Sequence, residues 1–330
     1  MNTLALPLIR VPEFDEFTEK FLSLQKKPST RSLYRVALLA FQKFYEPHGT
    51  IADFIRAVKA DQAILDVKPE RVDEDTLRDF AAGLVNRGMA PKSVRAYVAA
   101  VQAELKYYRL PVSIKYLALP DNEVMSEKYS WTIERVSKLV GLMQSEPMYQ
   151  SLAAFIFQSG LGIGDVLALT YGKIREEYES GTTPLALQLT RIKTNVKFTT
   201  FVGKWSVNLL KVHLQKTYPS IKPEDRLFPT SRVAADEYFR SLTSEFVKDY
   251  KGRNPIRPHS LRAGFKTLLG TAKVEHDFIE FWMGHKLPEQ NRVYNQKDLE
   301  GWRQTYREQA EPFLTPSAPT LLLNLRTLSN

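Results

Sequence analysis

The chain has 330 residues, 43% of them hydrophobic, with no cysteine and a formal net charge of +9 at pH 7. This length and apolar content fit two globular domains and exclude wholesale disorder. The absence of cysteine excludes disulfides, thiolate metal sites and a cysteine nucleophile. The basic balance is typical of a protein with a polyanionic partner, although a merely soluble basic protein would carry the same charge.

Membrane insertion, secretion and metal binding are not expected. No stretch approaches the roughly 18 consecutive apolar residues that cross a bilayer. Residues 1–14 lack the basic start and long apolar run of a signal peptide. We therefore predict a cytoplasmic protein without a membrane partner. The five histidines form no His-x-x-x-His pair, so no metal site or cofactor is predicted.

The first third of the chain, residues 12–110, is predicted to be a bundle of four or five amphipathic helices. Pro28 is expected to end the first helix, Ser29-Thr30 to cap the second and Asp73 to cap a later one. The last helix spans residues 93–108. The inward-facing residues predicted for the first two helices include Phe14, Phe17, Phe21, Leu24, Leu33, Val36 and Phe41.

Residues 111–125 carry turn residues and a weak apolar pattern, which is typical of an interdomain linker. The second domain, residues 126–310, is predicted to be mainly helical with a small β-sheet. Two short strands, 185–189 and 198–202, flank Lys193-Thr194-Asn195 and indicate a hairpin. Residues 311–330 are predicted to be a tail. The helices expected here are 132–143, 148–159, a short one bearing Val166, Leu167 and Leu169, 205–215, 234–250 and 299–310.

One segment, residues 257–294, presents polar side chains on consecutive short helices. Pro258 suits a first helical turn, where its missing N–H has no partner to lose. His259 and Arg262 are three residues apart and share a face of that helix. An apolar stretch then leads to His285, and Tyr294 follows nine residues later.

The pattern His259-x-x-Arg262, Met283-Gly284-His285 and then Tyr294 resembles the tyrosine recombinase (phage integrase) family. Taken singly, each of these residues could be an ordinary non-catalytic residue: a histidine at a helix end, an arginine on the surface or a half-buried tyrosine. The resemblance implies a helical core-binding domain followed by an α-rich catalytic domain. It also implies a site-specific recombinase that cuts and rejoins DNA through a 3′-phosphotyrosyl link.

The resemblance also implies a role for each residue. Tyr294 would be the nucleophile, since a phenolate is both a fair nucleophile and a fair leaving group. Arg262 would meet the charge of the transition state with paired N–H donors, and His285 would donate a hydrogen bond beside it. His259 would assist proton transfer. Lys193, with Lys197 as the alternative, would protonate the leaving 5′-oxygen.

The chain departs from the family at one position. In the stretch SGLGIGDVLALT, Gly162 stands where the family has its first catalytic arginine, while Asp165 matches the acidic residue three positions later. Three explanations are open: a variant made inactive on purpose, a recombinase in which Arg191 or Lys173 substitutes, and a DNA-binding relative that no longer cuts.

The end of the first domain, GMAPKSVRAYVAAVQAELKYYRL, resembles the core-binding domain of the same family. Its basic residues would contact DNA phosphates, although a basic face is more commonly solvated surface. The residues concerned are Lys92, Arg95, Lys106 and Arg109.

The resemblance implies double-stranded DNA with short inverted repeats as the partner, and a homotetramer assembled on two duplexes. Two other functions remain open from the sequence. One is a catalytically silent DNA-binding protein on the same scaffold, and the other is a type IB topoisomerase, whose tyrosine chemistry is similar.

Overall fold

The structure is a computed structural model that describes residues 14–64, 71–112, 119, 129–192, 194–243, 247, 254–287 and 298–317. Two positions predicted to be functional, Lys193 and Tyr294, lie outside these ranges. The chain divides into two compact units, Met1–Met125 and Ser126–Asn330. The prediction of a mainly helical protein with one small sheet is confirmed. Within the described ranges, no helix has the length and apolar character needed to cross a membrane.

The first unit is a bundle of amphipathic helices around an aromatic centre. Phe41 contacts Phe54 at 4.9 Å and Phe80 at 5.1 Å between ring centroids, and all three side chains are fully buried. Edge-on ring pairs of this kind add to the stability that burial itself provides. The described helices of this unit are α1 (Glu16–Ser23), α2 (Pro28–Tyr45), α3 (Ile51–Gln62), α4 (Val72–Asn86) and α5 (Pro91–Tyr107).

Several details of the predicted bundle are wrong. Pro28 begins α2, because a proline in the first turn loses no hydrogen bond, and Ser29-Thr30 therefore does not cap it. Likewise α4 begins after Arg71, so Asp73 lies inside the helix and is buried. The predicted inward stripes were too wide. The residues of those stripes that are exposed are Phe17, Leu24, Leu33 and Val36.

The second unit is organised around one buried helix, whose residues from Gln150 to Ser159 are all buried. Helices pack on several sides of it, and a two-stranded antiparallel sheet lies beside it. Its α-helices within the described residues are α6 (Ile133–Leu142), the buried α7 (Pro147–Ser159), α8 (Ile163–Leu167), α9 (Arg175–Glu179), α10 (Lys204–Thr217), α11 (Arg232–Ser241), α12 (Pro258–Thr271), α13 (His276–Trp282), α14 (Leu299–Gln309) and α15 (Glu311–Leu314).

The sheet consists of β1 (Leu185–Thr190) and β2 (Lys197–Val202), which pair in register from Leu185 opposite Val202 to Thr190 opposite Lys197. It is the hairpin that the sequence predicts, one residue longer in each strand. Helix α8 is shorter than expected: Leu169 lies beyond its end, where its carbonyl accepts a hydrogen bond from the Leu227 N–H at 2.9 Å. In place of the helix predicted over 234–250, the described residues form α11, which begins two residues earlier and ends at Ser241.

The segment predicted to be a tail begins as a packed helix. Leu314 of α15 is fully buried. The buried Gln158 side chain donates to the Leu314 carbonyl and to Thr315 Oγ1, both at 3.1 Å. The same side-chain amide accepts from the Ser206 N–H at 3.2 Å, while Glu311 Oε1 accepts from the Lys204 N–H at 2.8 Å. Residues 311–315 are therefore part of the folded unit.

Candidate active site

The site is built around Arg262, whose side chain is 4% exposed. It lies on α12, on the buried side that also carries Leu261 and Phe265. Its guanidinium donates to the Gly160 carbonyl, to the Met283 carbonyl at 2.9 Å and toward His285 Nε2 at 3.0 Å. These three acceptors come from two segments of the chain, one that contains Gly160 and one that contains Met283 and His285. A planar group held at three points has a fixed orientation.

Both ring nitrogens of His285 are engaged. Because a guanidinium can only donate, His285 Nε2 accepts from Arg262, and the proton must be on Nδ1. His285 Nδ1 then donates to Glu280 Oε2, 2.5 Å away. The other oxygen of Glu280 forms an ion pair with Lys266 Nζ at 2.6 Å. In this arrangement the neutral imidazole has no N–H left to offer to another group.

Burial and the neighbouring positive charges lower the pKa values of Arg262 and His285, whereas nearby carboxylates raise them. Burial, followed by the positive charge of Arg191, lowers the pKa of Arg262 to about 10, against the opposing charges of Asp165 and Glu280. Burial also lowers the pKa of His285, and the charges of Arg262 and Arg191 add to this effect, although Glu280 opposes it. The site therefore favours a neutral histidine beside a charged arginine.

Two glycines allow the backbone to present these carbonyls and side chains. Gly160 has φ of +63°, and a Cβ there would lie 2.7 Å from the Phe265 ring. Gly284 has φ of +65°, and a Cβ there would lie 2.9 Å from the Phe198 ring. A side chain at either position would be both strained and too close to a buried ring.

The end of the β1–β2 hairpin reaches the same place. Arg191 follows β1 directly, and its Nη1 donates to the Gly284 carbonyl at 3.1 Å. The next residue, Ile192, donates its backbone N–H to Asp165 Oδ1 at 3.1 Å. Asp165 therefore holds the hairpin end against the first turn of α8. The predicted general acid Lys193 comes next in the chain, outside the described residues.

Gly162 is the N-cap of α8, with φ of −76°, which any residue can adopt. A Cβ at this position would lie 3.3 Å from Asp165 Oδ2, a close contact with the end of a side chain. Neither the backbone conformation nor the surrounding space therefore requires glycine. The position faces the carboxylate to which the hairpin end is bound.

The other predicted site residues are less fully placed. His259 lies one turn before Arg262 on α12, and its side chain is exposed. Tyr294 lies outside the described residues. An open cavity of about 530 Å³ borders the site, and the described residues that line it include His285, Lys286, Phe281, Lys197 and Asn195. Lys197, the alternative general acid, thus shares a cavity with His285.

The predicted basic face belongs to α5. At about 100° per residue, Lys92, Arg95 and Lys106 lie within about 60° of one another around this helix. Lys92 and Lys106 are exposed, whereas Arg95 is partly buried and lies 3.4 Å from the Leu119 carbonyl. Arg109 is exposed just after the helix, with φ of +63°.

Sequence reasoning missed Glu280, the partner of His285. Its signal was a single carboxylate within the otherwise apolar run from Phe278 to Met283. A charge within such a run is rarely buried unless it is paired. Among the described residues, no group of three histidine, aspartate or glutamate side chains could hold a metal ion.

A family model described as "Phage integrase family" matches residues 132–300. Three solved structures are similar in fold, with TM-scores of 0.57, 0.56 and 0.54. The first is a lambda integrase tetramer bound to a Holliday junction, at 15% identity over 86% of this chain and 76% of that one.

The second is the Tn1549 transposon integrase in complex with transposon right end DNA, at 13% identity over 89% of this chain and 98% of that one. The third is the XerH site-specific recombinase bound to its difH substrate, at 16% identity over 83% and 78%. No curated relative matches the chain by sequence.

Proposed function

The chain belongs to the phage integrase family of site-specific tyrosine recombinases, and we propose that it exchanges DNA strands through a 3′-phosphotyrosyl intermediate on Tyr294. The observation that carries this proposal is the Arg262–His285–Glu280 constellation, a buried guanidinium held by a neutral imidazole beside an open cavity. His285, which holds the guanidinium, lines this cavity, and a guanidinium with a fixed orientation is suited to binding a phosphate.

In the proposed reaction, the Tyr294 hydroxyl passes its proton to His259 as its oxygen forms a bond to the scissile phosphorus, and the bond from phosphorus to the 5′-oxygen breaks. The 5′-oxygen receives a proton from Lys193, with Lys197 as the alternative donor. The energy of the broken phosphodiester is kept in the tyrosyl ester, so the 5′-hydroxyl of another strand can reverse the step. Negative charge on the phosphoryl oxygens is stabilised by Arg262, whose fixed orientation requires no reorganisation during the reaction.

We assign His285 a positioning role. Its Nε2 accepts from Arg262, and donating to a phosphate would require a protonated ring. The lowered pKa of His285 disfavours that ring at neutral pH. His259 is exposed on α12, and we propose that it assists the loss of the proton from the Tyr294 hydroxyl.

The proposed partner is double-stranded DNA with short inverted repeats. The exposed cations Lys92, Lys106 and Arg109, with Arg95 beside them, would contact phosphates from the first unit while the second unit carries the chemistry. Homotetramer assembly is proposed by analogy with the lambda integrase tetramer bound to a Holliday junction. The XerH neighbour bound to difH substrate supports DNA of defined sequence as the partner.

Gly162 is proposed to reduce activity, because the turn that begins α8 offers no guanidinium. Losing one donor that stabilises transition-state charge costs about 10²–10³ in rate in other enzymes. We therefore expect the chain that carries Gly162 (the natural chain, in the sense of unsubstituted) to be slower than a Gly162→Arg variant.

The test is covalent capture on a randomised library of nicked DNA duplexes, in which a cleaved strand cannot be religated. The natural chain and Gly162→Arg are each incubated with the library, and adducts that survive denaturant are sequenced. Tyr294→Phe should form none while still binding DNA, because it lacks only the nucleophilic oxygen. Binding without an adduct in every form of the chain would instead indicate a catalytically silent DNA-binding protein.

A further inference from the structure

We propose that Arg191, at the end of the hairpin, supplies the second phosphate-binding guanidinium that Gly162 leaves missing from the first turn of α8. This inference rests on the proposed function. It assigns a catalytic group to the same site and accounts for how this chain could remain active without an arginine at position 162.

The hairpin end is attached to the turn where the guanidinium is missing. Asp165 accepts at Oδ1 from the Ile192 N–H at 3.1 Å, and its own N–H donates to the Gly162 carbonyl at 3.0 Å. Arg191 therefore directly precedes Ile192, the residue that is hydrogen-bonded to the helical turn beginning at Gly162. Its side chain starts from a point fixed relative to α8.

Arg191 and Arg262 are held by consecutive carbonyls of one segment. Arg262 donates to Met283 at 2.9 Å, and Arg191 donates to Gly284 at 3.1 Å. The positive charge of Arg191 also contributes to the lowered pKa values of both Arg262 and His285, which indicates that it is close to both. Two guanidinium groups thus meet at one small part of the site.

Arg191 has unused hydrogen-bonding capacity. A guanidinium has five N–H donors, and the bond to Gly284 is the one that Arg191 makes through its side chain within the described part of the chain. Its Nε is buried and has no partner among those residues. Neither Arg191 nor Arg262 forms an ion pair with a carboxylate in the described ranges. Adjacent like charges are unfavourable until an anion binds between them, and a phosphodiester is such an anion.

The other cation considered for this role, Lys173, belongs to a different part of the unit. It is exposed at the end of the 3₁₀ turn Tyr171–Lys173. That turn is held by the 223–225 segment, since Tyr171 N–H donates to the Asp225 carbonyl and Gly172 N–H to the Pro223 carbonyl, both at 2.8 Å. Lys173 therefore serves as the matched control.

The experiment measures the rate of covalent adduct formation on one nicked duplex obtained from the captured library. We expect Arg191→Ala to slow the natural chain by about 10²–10³-fold, as loss of a charge-stabilising donor does elsewhere. Arg191→Lys should recover part of this loss, because a lysine keeps the charge without the paired donors. Lys173→Ala should react at the natural rate.

A double variant, Gly162→Arg with Arg191→Ala, tests whether the two positions serve the same purpose. An arginine at position 162 should restore adduct formation to at least the natural rate. Restored activity also requires a folded protein, so it separates loss of a catalytic group from misfolding. A double variant as slow as Arg191→Ala alone would overturn the substitution.

Arg191 could instead have only a structural role, in which it holds Gly284 and thereby His285. A charge-neutral substrate distinguishes this role from a catalytic one. In a methylphosphonate duplex, a methyl group replaces one non-bridging oxygen at the scissile position and removes the negative charge. A group that stabilises this charge matters less there, so the rates of the natural chain and Arg191→Ala should converge. An equal defect on the phosphate and methylphosphonate duplexes would overturn the catalytic assignment.

The capture experiment separates failure of this inference from failure of the proposed function. If Gly162→Arg forms an adduct and the natural chain forms none, the chain has the recombinase chemistry and Arg191 does not substitute. If no form of the chain makes an adduct, the proposed function itself fails. An adduct with the natural chain that is lost in Arg191→Ala supports both.

Discussion

His285 and Glu280 are five residues apart, and their side chains meet at 2.5 Å across the left-handed turn at Gly284. This contact fixes which ring nitrogen carries the proton and leaves Nε2 to accept from Arg262. The orientation of Arg262 therefore depends on Glu280, a carboxylate that is not among the described residues lining the cavity.

The first prediction concerns pH. The pKa of His285 is lowered below its usual value of 6.5, chiefly by burial. The unfolded chain therefore takes up this proton first as pH falls, so the free energy of unfolding should decrease as the pH drops below about 6.5. The buried His213, whose pKa burial also lowers, acts with the same sign. Histidine NMR titration would resolve the two rings.

Glu280→Gln provides the control for this titration. Glu280 raises the pKa of His285, so its removal should lower that pKa further while His213 titrates as before. A higher pKa for His285 in the variant would contradict the tautomer and the partner assigned here.

The second prediction concerns Gly284→Ala. The backbone at this position has φ of +65°, which is strained for alanine, and the new methyl group would lie 2.9 Å from the Phe198 ring. We expect it to reduce the free energy of unfolding by about 1–3 kcal/mol, the usual cost of overpacking. Urea unfolding measures the change. Gly270→Ala, at an exposed helical position with open space around it, should instead be stabilising by about 0.5–1 kcal/mol.

The third prediction concerns the basic face of α5. Because phosphate contacts release counterions, Lys106→Ala should lower the slope of log affinity against log salt concentration by about one. Lys59→Ala, an exposed lysine on α3, is the matched control and should leave the slope unchanged. Fluorescence anisotropy titrations at several salt concentrations measure both. If the unsubstituted chain and Lys106→Ala gave equal slopes, the basic face of α5 would be ordinary solvated surface that does not contact phosphates.

The fourth prediction concerns the general acid. Lys193→Ala should slow adduct formation by about 10²–10⁴-fold on ordinary DNA. A duplex with sulfur in place of the 5′-bridging oxygen should restore the rate, because a thiolate leaves without needing a proton. Lys197→Ala is the comparison. Rescue by sulfur in that variant, and its absence in Lys193→Ala, would transfer the role to Lys197.

Local patterns in the sequence predicted most of the helices and the hairpin. Pro258 and the apolar spacing of Leu261, Phe265 and Leu269 predict α12. This works because a helix start and a periodic apolar face are both determined by residues close together in the sequence. The alternation around residues 185–202 predicts the strands to within one residue. Errors such as the exposed Phe17 arise because the width of a buried face depends on which helices pack on it.

The acceptors of Arg262 could not be predicted in this way. Gly160 is 102 residues away in sequence, and both it and Met283 contribute a backbone carbonyl. Every residue has a backbone carbonyl, whatever its side chain, so the sequence contains no sign of this contact. The tether between Asp165 and Ile192 is hidden for the same reason, because one partner is a backbone N–H.

The bonds from Gln158 to Leu314 and Thr315 also affect how the protein is made. Gln158 is fully buried and belongs to the central helix α7, so the second unit cannot complete its interior until residues 311–315 have left the ribosome. The first unit, whose core is formed by residues before 126, can fold while the remainder is still being synthesised. A nascent chain would therefore acquire the bundle early and the buried arginine site last, which separates the onset of any DNA affinity in the bundle from the onset of cutting.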